Sequence, residues 1–300
     1  MRTATWATIG EDVSTCKTID EVLAKSGLDY EVYKEHIVTE SGIAIPNTVA
    51  TVANINGKPT NLGIVSDKYT ICQNRDAFDF VDNISDELRF LKAGQTHNGM
   101  VYIIGVLPSL FVLGDEITPH VILQNGHNGS YSLKTTICPL RIVCQNQFAN
   151  AFKHSSNNVS ILHSSRMEAK MENAKILLSN VANYMNDFSK QAEIMATTKL
   201  SKNADDIISA FFDAAINENT SNRLINAAND KKLELIHAYN NEDNQNFKGT
   251  VWGMANAFAD YLTHKEVKNT VHADENKFMS VTFDPHAMKQ FMSFVGEFTK

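Results

Sequence analysis

Between positions 140 and 148 the chain reads Leu-Arg-Ile-Val-Cys-Gln-Asn-Gln-Phe, placing one guanidinium, one thiol and three side-chain amides within nine residues. Two chemistries use such a set. An arginine fork beside amides at a helix start binds phosphate. A thiol activated by an imidazole attacks an electrophilic carbon, and Cys144 with His154 or His163 has the residue types for it. The apolar run ahead of Cys144 favours a packed, protonated thiol instead. Two further corners resemble the first: Cys72-Gln73-Asn74, and the loop Gln124-Asn125-Gly126-His127-Asn128-Gly129-Ser130. All three serve equally well as structural caps.

Metal chemistry has little support in the spacing. There are ten histidines and four cysteines, but no Cys-x-x-Cys pair and no two histidines four apart. No metal and no cofactor is therefore expected. No disulfide is expected either. In an extended stretch Cys138 and Cys144 lie about 20 Å apart, whereas a bridge needs Cα atoms within roughly 7 Å. Walker loops, dinucleotide-binding glycine patterns, nucleophile elbows and zincin motifs are all missing, so an enzyme is the less expected class. With 27 basic against 34 acidic residues the net charge is −7. That argues against a strong non-specific DNA binder and leaves room only for a local basic patch.

The elements that must carry these residues follow from glycine and proline. Eleven of the 14 glycines precede residue 130, and five of the six prolines precede residue 140. Dense breakers mean short elements, and their absence means long helices. The expected fold class is α+β: a mostly antiparallel sheet with flanking helices over residues 1–165, then a mainly helical part over 166–300. A first helix is capped by Thr18 or Asp20 and ended by Gly27. Strands are expected at 30–38, 48–54, 62–65, 69–72, 88–91, 100–106, 110–113, 120–123 and 131–137, with Asn128-Gly129 as a type I′ turn. Asn74 is read as the cap of a helix through Asp82. Arg141 to Phe148 should run from a strand directly into a helix, with Asn146 near its start.

The clearest periodicity is Met167, Met171, Ala174, Leu178, Val181, Met185, Phe188, Ala192 and Met195, a heptad seam on one helix about 45 Å long. Methionine and alanine specify a coiled-coil partner poorly. Burial against the chain's own later helices is therefore expected, at 205–216, 222–229, 233–239 and 251–264. No apolar run is long enough for a membrane span, and residues 1–10 lack the apolar core of a signal peptide. A cytoplasmic protein without membrane contact is the expectation.

Several segments together resemble a known family. Leu62-Gly63-Ile64-Val65, Asp67-Lys68-Tyr69, Gln73-Asn74, Ala77-Phe78 and Phe80 match the pattern L-G-x-V-x-x-x-Y-x-x-x-Q-N-x-x-A-F-x-F. That signature belongs to the phage/plasmid-like protein family catalogued as domain of unknown function 932. Trp6 with Gly10, Gly27 to Val32, Gly126 to Ser130, Pro139 to Asn146, Leu162 to Ser165, and Gly249 to His264 are similar to its other blocks in order. The resemblance singles out Gln73, Asn74, His127, Cys144, Gln145, Asn146 and His163 as motif residues. Asn128 replaces the family's acidic residue, which counts against metal or catalytic work by that loop, and Gln147 replaces a threonine. The resemblance implies a phage or mobile-element context and no particular activity.

Within that context the leading expectation is binding or annealing of single-stranded DNA. Lys68, Arg75, Lys134 and Arg141 would contact phosphate, with Lys58 and Lys92 nearby, while Tyr69 and Tyr131, joined by Tyr102 and Phe148, would stack bases. The alternative is a protein-interaction factor that inhibits a host defence system, and a second alternative is an uncatalogued enzyme. A homo-oligomer is expected, joined through a sheet edge or helix ends.

Overall fold

The structure, a computed structural model, describes residues 5–84, 86–141, 146–147, 158–160, 167–265, 271–284 and 286–300. Along the chain the strands are β1 (Glu11–Asp12), β2 (Val32–Val38), β3 (Ala44–Ile55), β4 (Lys58–Ser66), β5 (Arg89–Gln95), β6 (Met100–Val106), β7 (Leu110–Val112), β8 (Asp115–Gly126), β9 (Lys134–Arg141), β10 (Asn146–Gln147) and β11 (Asn158–Ser160). The helices are α1 (Ile19–Ser26), α2 (Asn74–Phe78), α3 (Met167–Thr197), α4 (Ala204–Asp213), α5 (Asn222–Tyr239), α6 (Val251–His264), α7 (Ala273–Phe283) and α8 (His286–Gly296). The fold is α+β, as expected, and every strand pairing among the described residues is antiparallel.

Two sheets form. The larger runs β1-β5-β6-β8-β9-β10, with β7 also on β8 and β11 also on β9; the smaller is β2-β3-β4. All of β6 and ten of the twelve residues of β8 are buried, so the centre of the large sheet is covered on both faces. Alternation sorts the side chains. Val101, Ile103, Val121 and Leu123 join the main core, whereas Met100, Tyr102, Ile104 and Ile122 join a second cluster closed by Phe278 of α7. The main core continues without a break into Phe188 of α3, Trp252 of α6 and Phe291 of α8. Twelve of the fourteen α6 residues are buried, the signature of a helix enclosed by others.

Local chemistry explains the best-defined ends. Thr18 accepts from the Glu21 N–H at the start of α1, and Gly27 closes that helix with a left-handed φ of +67°. Thr250 caps α6 by accepting from the Gly253 N–H.

Several expectations need correction. The type I′ turn is not at Asn128-Gly129. It occurs at Asn56-Gly57, with φ of +53° and +78°, where Ile55 pairs Lys58 across a two-residue hairpin. A second such pair, Leu113-Gly114, joins β7 to β8. Asn128 instead builds a wider loop: its side chain donates to the Asn98 carbonyl and accepts from the Ser130 N–H. Residues 69–72 form no strand, and Gln73, not Asn74, is the N-cap of α2. Asn146 does not start a helix. Asn146 and Gln147 pair back on Arg141 and Leu140, so the chain reverses and the straight extension that separated Cys138 from Cys144 ends at Arg141. Cys144, Gln145, Phe148, His154 and His163 lie outside the described residues.

The helical part is longer-limbed than read. Residues 222–239 are one helix, because Asp230-Lys231-Lys232 continues the turn on an outer face without any glycine or proline. The polar stretch 240–245 contains most of a 3-10 turn, Glu242–Phe247. Helix α3 packs on residues 79–84 and on α6, burying Leu177, Val181, Tyr184, Met185, Phe188, Ala192 and Met195. Among the described residues no helix is long and apolar enough to cross a membrane.

Candidate functional site

The motif residues meet where the small sheet joins the large one. Register does this. The end of β8 brings Asn125, Gly126 and the following His127 beside the start of α2, 51 to 53 residues earlier in the chain. Asn74 is buried there. Its Nδ2 donates to the Leu28 carbonyl at 3.0 Å, which fixes its Oδ1 as the acceptor for Asn125 Nδ2 at 3.1 Å and for His127 Nε2 at 2.9 Å. Gln73 bonds both backbone groups of Val32, accepting from its N–H and donating to its carbonyl. A side-chain amide thus completes the start of β2 as a neighbouring strand would. Thr51 of β3 donates to the His127 carbonyl at 2.6 Å, and Tyr69 donates to the Gly126 carbonyl at 3.0 Å.

Because His127 Nε2 donates to Asn74, its proton sits there and Nδ1 carries the bare lone pair. That Nδ1 is buried without a hydrogen-bond partner, and the residue is 1% exposed. Burial pushes His127 down to about 4, so the imidazole is neutral at physiological pH. Burial pushes the neighbouring Cys72 thiol up to about 12, assisted by Asp76 and Asp79, and raises Tyr30 as well. No thiolate, phenolate or imidazolium forms at this centre near neutrality. The hydrogen bonds from Gln73, Asn74, Thr51 and Tyr69 make this polar cluster a fastener between the two sheets.

The basic and aromatic residues singled out in the sequence are only partly assembled. Tyr69 and Tyr131 both border Gly126, the first through its hydroxyl and the second by packing against that glycine. Lys134 stands opposite Gln124 in the same corner. Lys68 is exposed beside Tyr69. Arg141 is at the other end of β9, about 23 Å away along the strand. Arg75 is 2.6 Å from Asp20 and borders a cleft of about 510 Å³ whose lining also carries Asp29, Glu31 and Asp76. Four carboxylates around one paired guanidinium repel a phosphate. Tyr102 is buried and presents no stacking face. Lys58 is exposed at the β3–β4 turn, and Lys92 faces Asp12 across the β1–β5 pair.

A second feature escaped the sequence reading. Among the described residues, five of the ten exposed large hydrophobics lie on the small sheet or its first hairpin: Tyr33, Val38, Ile43, Ile45 and Ile64. Ile43 is 66% and Ile64 61% exposed. The register puts Tyr33, Val52 and Asn61 in one row of the outer face, where Val52 is buried, and Glu35, Ala50 and exposed Ile64 in the next. That face has apolar groups, an amide and a carboxylate, and no basic side chain. The opposite face carries Val32, Thr51 and Val65 toward the fastener. Alternation was visible in the sequence, but it does not say which face stays uncovered.

No curated protein and no solved structure matches the chain. One family does, over residues 61–288, a span that includes Gly63, the Gln73-Asn74 pair and His127. The blocks around Trp6 and 27–32 fall outside that span. With well over half its length matched, the chain belongs to the family described as domain of unknown function (DUF932).

Proposed function

We propose that this chain is a protein-binding factor whose docking surface is the outer face of the β2-β3-β4 sheet and the hairpin between β2 and β3. The single observation behind this reading is the concentration of uncovered Tyr33, Val38, Ile43, Ile45 and Ile64 on one small sheet. Contiguous exposed apolar surface marks interaction sites, and an apolar face with a single acid suits a protein better than a polyanion. Beyond Val32, whose backbone groups Gln73 occupies, β2 is an outer strand of this sheet whose edge can accept a partner strand. The resemblance to phage and plasmid proteins makes a host protein, including a defence protein, the expected partner class.

The test places a photocrosslinking amino acid at Ile43 or Ile64, in the cell that naturally makes the protein. Exposed Leu224 and Leu233 on α5 serve as control positions. A discrete adduct at 43 and 64, absent from the controls and lost on adding Ile45→Asp, is the expected result. Equal labelling at all four positions overturns the reading. A second reading, single-stranded DNA binding, is favoured by the Lys68, Tyr69, Tyr131 and Lys134 corner around Gly126. It predicts oligonucleotide affinity that falls steeply with salt and is lost in Lys68→Glu/Lys134→Glu.

A further inference from the structure

The fold brings together three ligand-type side chains that the sequence keeps far apart. His97 lies in the turn between β5 and β6. His272 immediately precedes α7, and Glu275 is in its first turn. Their donor atoms all lie within 4.8 Å of one another. Glu275 Oε2 is 2.7 Å from His97 Nδ1 and 4.0 Å from His272 Nδ1, and it also accepts from the His97 backbone N–H at 2.8 Å. The two imidazole rings stack face to face, with centroids 4.0 Å apart and planes 10° from parallel.

Both supporting elements are held independently of this cluster. The β5–β6 turn is closed by Gly99 N–H to Thr96 carbonyl and by Asn128 to the Asn98 carbonyl. Helix α7 is pinned by Phe278, fully buried against Tyr102 with ring centroids 5.4 Å apart. The scaffold therefore delivers two nitrogens and one oxygen to the same point by packing that does not depend on an ion.

We propose that His97, His272 and Glu275 bind a single divalent cation of the zinc class, which clips α7 onto the β5–β6 turn. Two imidazoles and one carboxylate are ligands that first-row transition ions prefer, whereas magnesium and calcium take oxygen. Bond lengths of about 2.0–2.2 Å put tetrahedral ligand atoms roughly 3.3 Å apart. His272 Nδ1 must therefore move toward Glu275 by about 0.7 Å, and the His97–Glu275 contact must open by about 0.6 Å. Its ring must also leave the stack, because a ring nitrogen donates in the ring plane. The half-exposed His272 side chain has room for that rotation. Three protein ligands leave a fourth position for water. The closed loop runs from residue 97 to residue 272, so the clip removes a long loop's freedom from the unfolded chain.

The experiment uses the untagged full chain, stripped with a chelator and dialysed. Zinc is titrated in competition with a chromophoric chelator, with magnesium as the comparison ion. One equivalent of zinc should bind, magnesium should not displace it, and the melting temperature should rise with zinc. His97→Ala, His272→Ala and Glu275→Gln should each weaken binding at least tenfold while keeping the far-ultraviolet circular dichroism of the parent. Cobalt in place of zinc should give the visible bands of a four-coordinate nitrogen–oxygen site without thiolate charge transfer. Absence of stoichiometric binding overturns the proposal. So does undiminished affinity in the two histidine variants, or a thiolate band, since each places the ion elsewhere.

Discussion

Gly63 of β4 rests directly on the backbone of Asn128: a Cβ built at Gly63 would stand 2.5 Å from Asn128 Cα. No pair of real atoms tolerates that approach, and the atom in the way is main chain, which cannot rotate aside. The glycine of the family's opening signature is thus a spacing requirement between the two sheets. It lets Thr51 reach the His127 carbonyl.

Gly63→Ala should accordingly destabilise the protein by roughly 1–3 kcal/mol through forced separation of β4 from the loop. Gly42→Ala is the comparison, since open space surrounds that position. Gly42 has a φ of +81°, so its cost is backbone strain alone, of order 1 kcal/mol. Urea unfolding of both variants checks this, and equal losses would remove the packing argument.

Acid should weaken the protein through its buried histidines. Burial lowers both His120 and His127 to about 4 from an ordinary 6.5. The unfolded chain then takes up protons first as pH falls. The stabilisation is complete above about pH 6.5 and drains away between there and pH 4, each histidine adding a slope of about 1.4 kcal/mol per pH unit. His127→Gln keeps a donor for Asn74 and cannot titrate. Its stability should therefore lose one histidine's slope relative to the parent across that window. Chemical unfolding at several pH values measures the difference, and parallel curves would refute it.

Asn74→Ala should be among the most damaging single changes in the first half of the chain. It removes the acceptor for His127 Nε2 and the donor for the Leu28 carbonyl, leaving both buried without a partner. Two orphaned groups cost roughly 2–5 kcal/mol. Asn125 retains the Cys72 carbonyl and suffers less. If the variant unfolds at the same urea concentration as the parent, the fastener is not holding the sheets.

Sequence exposed some of this design and concealed the rest for identifiable reasons. Thr18 and Gly27 are readable because capping depends on neighbours within three residues. The buried faces of α7 and α8 are also written in spacing, as Phe278 with Val281 and Thr282, and as Met288, Phe291 and Val295. The role of Asn74 was not readable. A polar residue before an apolar run looks like a cap, and only the β6–β8 register shows that Asn125 and His127 arrive beside it. The His97–His272 pair was hidden for the same reason, its partners being 175 positions apart. The exposed row of Tyr33 and Ile64 was hidden because an apolar strand residue looks the same whether or not something covers it.

The long helix supplies the last expectation, because its seam is displaced by one position at Leu178. Spacing placed Leu178 on the buried stripe, whereas Leu177 is fully buried and Leu178 only half-buried, lining an apolar groove of about 460 Å³ with Leu107, Leu110 and Pro119. From Val181 onward the expected positions and the buried ones coincide. On the helix Leu177 stands with Val181, Tyr184 and Phe188 at spacings of four, three and four, and the buried stripe runs through these residues. Leu177→Asp should abolish cooperative unfolding, since it buries a charge with no partner. Leu178→Asp should leave a folded protein with native circular dichroism and a light-scattering mass equal to the parent's, because water reaches the groove. Loss of folding in Leu178→Asp would put the seam back in the register read from the sequence. A drop in mass without unfolding would make the groove an interface between copies.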